Sequence, residues 1–124
     1  MQLDIELARR ILLIAEAAPA NQHVGRIEIP DVDHDVVLEH LELLSEAGLI
    51  EAMIRRNSMG GSRNHFAFVN RLTWDGHEFL ANAKNEQVWE KTKTFLKDKG
   101  GTMSMAVVKA VVIKIAGQHL GIAV

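Results

Sequence analysis

The run from residue 33 to residue 80 constrains this chain most, because a helix pattern, a hairpin pattern and a second helix pattern follow one another with their punctuation intact. Val36, Val37, Leu41, Leu44 and Ala47 recur at helical spacing. Asp33 stands where a side chain can accept a backbone N–H at the helix start, and Gly48 stands where the chain leaves through left-handed backbone. Residues 49–55 and 66–72 read as two strands, joined by the turn-forming run Asn57-Ser58-Met59-Gly60-Gly61-Ser62. Thr73 then caps a helix reaching about Ala83.

The flanks extend this frame. Leu3, Leu7, Ile11 and Ile14, with Ala8, Leu12 and Ala15 beside them, predict a helix over residues 3–18 that Pro19 stops. A polar loop over residues 21–25 leads into Arg26-Ile27-Glu28-Ile29, whose alternation predicts a short strand before Pro30. Asn85 caps a helix carrying Val88, Trp89, Thr92, Phe95 and Leu96 at helical spacing, ended by Gly100-Gly101, and Thr102 or Ser104 starts the last helix. The expected class is α+β, mainly helical. Residues 1–84 form the core of the fold, and residues 85–124 a C-terminal helical extension of the same compact domain.

At 124 residues and 48% hydrophobic content the chain can bury a real core. The absence of cysteine excludes disulfides, thiolate metal sites and a cysteine nucleophile. The acidic start, Met1-Gln2-Leu3-Asp4-Ile5-Glu6, has no basic region before an apolar one, so no signal peptide is expected and a cytoplasmic location is. In residues 103–124, Lys109 and Lys114 leave apolar runs shorter than the roughly 20 residues of a spanning helix, so no membrane partner is expected.

Several short motifs resemble known proteins. The run Val37-Leu38-Glu39-His40-Leu41-Glu42-Leu43-Leu44-Ser45-Glu46-Ala47-Gly48-Leu49-Ile50 resembles the recognition-helix region of winged-helix regulators, and Leu72-Thr73-x-x-Gly76 resembles the start of their post-wing helix. Taken with Val88-Trp89-x-Lys91-Thr92-Lys93 and Lys99-Gly100-Gly101, they resemble an uncharacterised phage- and prophage-associated winged-helix family, a domain of unknown function marked here by Arg71-Leu72-Thr73-Trp74-x-Gly76-His77-x-Phe79-Leu80. The resemblance implies a winged helix-turn-helix-like domain with a two- to three-stranded wing sheet, additional C-terminal helices and a mobile-element origin. It brings no catalytic residues with it.

The net charge of −2 conceals an asymmetry that locates partners. Through Ile54 there are three basic residues against eleven acidic ones, a net −8; from Arg55 onward there are eleven against five, a net +6. Any nucleic-acid surface is therefore expected in the second half. The wing gathers Arg55, Arg56, Arg63, Asn64 and His65 around the Gly60-Gly61 tip, with Arg71 farther along the second strand, a set able to lie along phosphates or enter a minor groove. The helix before it carries Asp31, Asp33, Asp35, Glu39, Glu42 and Glu46 and no Lys or Arg between residues 31 and 46, which opposes major-groove reading because DNA affinity comes largely from neutralising phosphates. That acidic face is either solvated or a docking surface for a basic protein, through Asp35, Glu39, Glu42 and Glu46. Lys84, Lys91, Lys93, Lys97 and Lys99, offset by Glu86, Glu90 and Asp98, read as a solvated face.

No cofactor, metal or catalytic set is expected. Asp31, Asp33, Asp35, Glu39 and Glu42 match positions 1, 3, 5, 9 and 12 of a calcium loop, yet Val36 occupies the position that requires Gly. The six histidines lack H-E-x-x-H spacing, and there is no G-x-S-x-G, P-loop or dinucleotide fingerprint. Val107, Val108, Val111, Val112, Ile115 and Ala116 make the last helix apolar on nearly every side, so burial against the first helix or in a homodimer is expected. Two functional expectations follow: a regulator that contacts DNA through its wing, or a module that inhibits or redirects a host or defence protein through its acidic helix.

Overall fold

A computed structural model describes residues 2–55, 66–99 and 104–121. The architecture is α+β and mainly helical, in the order α1 (Ile5–Ala17), α2 (His34–Glu46), β1 (Ile50–Arg55), β2 (Phe66–Leu72), α3 (Trp74–Ala83), α4 (Glu86–Lys99) and α5 (Met105–His119).

Each helix start is closed by a side chain that satisfies an orphan N–H. Asp4 accepts from Leu7 N, Asp33 from Asp35 N, Thr73 from Gly76 N, Asn85 from Val88 N and Ser104 from Val107 N. Ser104 rather than Thr102 therefore starts α5. Gly48, at φ 78°, ends the turn after α2 as the sequence predicts. The expected end of α4 at Gly100-Gly101 and the wing tip at residues 57–62 lie outside the described residues.

The core gathers on α1. Ile11 and Leu12 are fully buried, together with Leu41 and Leu44 of α2, Val69 of β2, Leu80 of α3 and Trp89 of α4. Ile14, placed by its spacing on the buried stripe, is instead 39% exposed, because Leu7, Ala8, Ile11, Leu12 and Ala15 already fill the face turned toward α2, α3 and β2. His40 takes the opposite course. It is 1% exposed, its Nδ1–H donates to Val36 O at 2.8 Å and its Nε2 accepts from Asp4 N–H at 2.9 Å, so the ring ties the start of α1 to α2 with both nitrogens satisfied.

Strands β1 and β2 form a two-stranded antiparallel sheet, pairing Arg55 with Phe66, Met53 with Phe68 and Glu51 with Arg71, with an irregularity between Glu51 and Ala52. The strand expected at residues 26–29 does not form. A single bridge joins Gly25 to Val69 through two 2.8 Å hydrogen bonds, and beyond Gly25, at φ 86°, the chain leaves the edge of β2. The alternation in those residues has another cause: Ile27 and Ile29 are buried in the core while Arg26 and Glu28 face solvent.

Helix α5 packs on α3 and α4, which corrects the expectation that it lies against the first helix. Val108, Val111, Val112, Ile115 and Ala116 are buried there, whereas Val107 is 44% and Ile113 58% exposed. Lys109 Nζ reaches Ala47 O at 3.1 Å, a cation at the carbonyl end of α2. Among the described residues, no helix is long and apolar enough to cross a membrane.

Candidate nucleic-acid interface

The period of two along a strand divides the hairpin into a core face and an outer face. Ala67 and Val69 of β2 and Ile54 of β1 turn inward, leaving Phe66 and Phe68 beside Arg55 and Met53 on the other side. The segment that bridges β2 at Gly25 adds a third column to that outer face. The Arg26 guanidinium lies 5.9 Å from the centre of the Phe66 ring, and His23 meets Phe68 edge-on at 5.8 Å. Two rows run across the hairpin, Arg55–Phe66–Arg26 and Met53–Phe68–His23, with each phenylalanine half-buried between its neighbours. Met53 is 48% exposed, and among the described residues neither Arg26 nor Arg55 forms an ion pair.

The basic residues expected on the wing are not equivalent. Arg55 ends β1 with its side chain exposed on this face. Arg71 is engaged elsewhere, its guanidinium pairing with Glu51 at 3.2 Å and donating to Leu72 O at 3.0 Å, while Asn70 also donates to Glu51. Arg56, Arg63, Asn64 and His65 lie outside the described residues. Counting charges near the tip missed Arg26, Phe66, Phe68, His23 and Met53. The alternation of Phe66 and Phe68 about Ala67 was a readable signal, but the approach of Arg26 from forty residues upstream was not.

A rigid joint supports the hairpin. Thr73 Oγ1 donates to Gly48 O while accepting from Gly76 N, and Thr73 N donates to Leu49 O at 3.1 Å. Gly76 packs so closely on the Leu49 carbonyl that a methyl group there would overlap its oxygen. The Leu72-Thr73-x-x-Gly76 motif is thus a clamp between the turn after α2 and the start of α3, holding the base of the hairpin where Ile50 pairs with Leu72.

On α2, Asp35, Glu39 and Glu46 are exposed and carry no ion pair among the described residues; Glu42 is half-buried. Asp31 and Asp33 are used structurally, the first with Arg10 at 3.0 Å and the second as the cap of α2. The Arg10 guanidinium, by its hydrogen bond and charge, holds the Asp31 carboxyl below the usual carboxylate range.

A second group of charged residues laces α1 to the end of α3 and to α4. Arg9, its side chain 12% exposed, donates to Ala83 O at 2.8 Å and Lys84 O at 3.3 Å, pairs with Glu86 and lies 5.4 Å from the Trp89 ring centre. Glu6 accepts from Trp89 Nε1 at 2.8 Å and from Lys93 Nζ at 2.6 Å. Burial opposes ionisation of Glu6, but these two hydrogen bonds and the charges of Lys93 and Arg9 outweigh it and hold the carboxyl below its ordinary value. Lys93 is therefore a structural cation of α4.

Comparison with known proteins places these features in a family. Residues 2–102 match the family described as hypothetical protein (DUF2513). A protein of Haemophilus influenzae, described as uncharacterized, is 35% identical over 125 residues, spanning 97% of this chain and 99% of that relative. No solved structure matches the chain. The family match covers the hairpin, the clamp beneath it and the α1–α4 network, and the chain belongs to the DUF2513 family.

Proposed function

We propose that this chain is a winged-helix-like module that binds nucleic acid through the outer face of its hairpin, in the setting of a mobile element and with regulation as its role. The observation that carries the reading is the row Arg55–Phe66–Arg26: two guanidinium groups without carboxylate partners among the described residues flank an aromatic ring on an exposed sheet face. Guanidinium groups neutralise phosphates and aromatic rings contact bases, so the pairing fits a polyanion that carries bases. The element order supports the winged-helix description: a helix, an edge bridge at Gly25, a second helix, then a hairpin and a third helix. The acidic α2 then faces away from phosphate or is screened from it, leaving the hairpin as the contact. Arg56 and Arg63, which belong to the same basic cluster in sequence, extend the proposed contact.

Fluorescence anisotropy of labelled DNA across a salt titration tests this. The wild type binds with an affinity that falls as salt rises, and Arg26→Glu with Arg55→Glu abolishes binding while the protein still melts cooperatively. Equal binding by the double variant sets the hairpin face aside.

The exposed carboxylates Asp35, Glu39 and Glu46 favour a second reading, in which α2 docks a basic surface of a host protein. Glu39→Gln with Glu46→Gln then loses a partner that the wild type captures, and the arginine reversals leave that capture unchanged.

A further inference from the structure

We infer that the nucleic acid this face takes is single-stranded, with unpaired bases stacking on Phe66 and Phe68; the inference rests on the reading of the hairpin as a nucleic-acid contact. The two rings occupy alternate positions of β2, which places them about 6.6–6.8 Å apart along the strand. Stacked nucleotides in a duplex advance about 3.4 Å per residue along each strand, and their faces are covered by neighbours. Two bases can therefore reach both rings only when they are unstacked from each other, which a single strand allows and a duplex does not.

The surroundings of the rings fit the same ligand. Arg26 sits 5.9 Å from the Phe66 centre, near the outer limit of a cation–π contact, so it can swing aside for a base and keep its charge for the adjoining phosphate. Arg55, opposite Phe66 in register, supplies a cation on the other flank. His23 holds Phe68 by its edge, and Met53, opposite Phe68, presents a polarizable thioether beside the ring. Arg71, the arginine of β2, is turned onto Glu51 and adds no free cation to this face.

The test uses the full chain, a labelled oligothymidylate and a labelled mixed-sequence duplex of the same length. The variants Phe66→Leu and Phe68→Leu keep apolar packing and remove the ring. The single strand is expected to bind at least roughly tenfold more tightly than the duplex, and each variant to lose roughly five- to a hundredfold for the single strand. Thermal unfolding shows which variants keep the fold; if either fails to fold, the wild-type ratio of single-strand to duplex affinity decides by itself. A duplex bound as tightly as the single strand, or folded variants that bind the single strand unchanged, overturns the single-strand inference and leaves the nucleic-acid reading standing. Absence of binding to both probes overturns the two together.

Discussion

Replacing Gly76 by alanine is expected to be among the most damaging single-methyl changes this chain can suffer. The added Cβ would overlap the Leu49 carbonyl oxygen and lie 3.0 Å from its carbon. The bond between those two atoms is about 1.2 Å long and points at the methyl, whereas an ordinary C···O contact is about 3.3 Å, so the two backbones must part by roughly an ångström or more. Leu49 is fully buried and cannot retreat freely. Moving α3 away instead stretches the 3.1 Å bond from Thr73 N to Leu49 O and strips the clamp from the hairpin. Overpacking of this kind costs about 1–3 kcal/mol, and an abandoned buried acceptor about 1–3 kcal/mol. Alanine returns about 1 kcal/mol through its helix propensity, leaving a net loss centred on about 3 kcal/mol and spanning about 1–5 kcal/mol. With an unfolding entropy of about 2.1 cal/mol/K per residue, each kcal/mol lowers the Tm of a chain this long by about 4 °C, so a fall centred on about 12 °C, within about 4–20 °C, is expected. Gly48→Ala is the comparison: its φ of 78° is unfavourable for alanine but nothing lies within 4 Å of the new methyl, so about 1–2 kcal/mol is lost. Circular dichroism melts of both variants check the order. Gly76→Ala melting at or above the wild type refutes the clamp.

Further outcomes follow from the α1 network and from α5. Arg9→Ala removes the donor to two carbonyls at the end of α3 and is expected to destabilise by about 2 kcal/mol in urea unfolding, and Arg9→Lys does not restore it, because an ammonium cannot span the same fork of acceptors. For Glu6 the pKa is lowered in the folded state, so its contribution is present above the ordinary 4.5 and is lost as pH falls through the depressed native value. The Tm gap between wild type and Glu6→Gln is therefore largest near neutral pH and closes in acid; a gap that widens in acid contradicts the assigned sign. A homodimer through α5 needs the exposed Val107 and Ile113, so Val107→Glu with Ile113→Glu converts a concentration-dependent dimer to monomer in sedimentation equilibrium, and a monomeric wild type removes that proposal.

Local chemistry explains which parts of the fold were legible in the sequence. Asp33, Gly48 and Thr73 announce helix ends by side-chain chemistry or backbone freedom acting within a few residues, and β2 begins and ends where its alternation does. Arg26-Ile27-Glu28-Ile29 alternates like a strand because two isoleucines enter the core, although its backbone pairs with β2 only at Gly25. His40 shows the converse, a polar residue on a core stripe: Val36 O lies one turn back in the same helix, but the Asp4 N–H that satisfies its other nitrogen was invisible until α1 was placed beside α2. Arg9 and Arg26 tell the same story for charge: one is committed to α3 carbonyls and the other lies beside an aromatic ring, and neither partner is near in sequence. For the candidate site, strand periodicity predicts which residues share the hairpin's outer face. Its third column needs the fold.

Whether the outer face of the hairpin is where this chain meets nucleic acid is read residue by residue in a titration. Amide chemical shifts of the 13.8 kDa chain are followed as an unlabelled oligothymidylate is added. Saturable shifts are expected to cluster at residues 23–26, 53–55 and 66–69, with α2 residues 34–46 unmoved. Shifts centred on α2, or none anywhere at low salt with either this strand or a mixed-sequence duplex, contradict that placement.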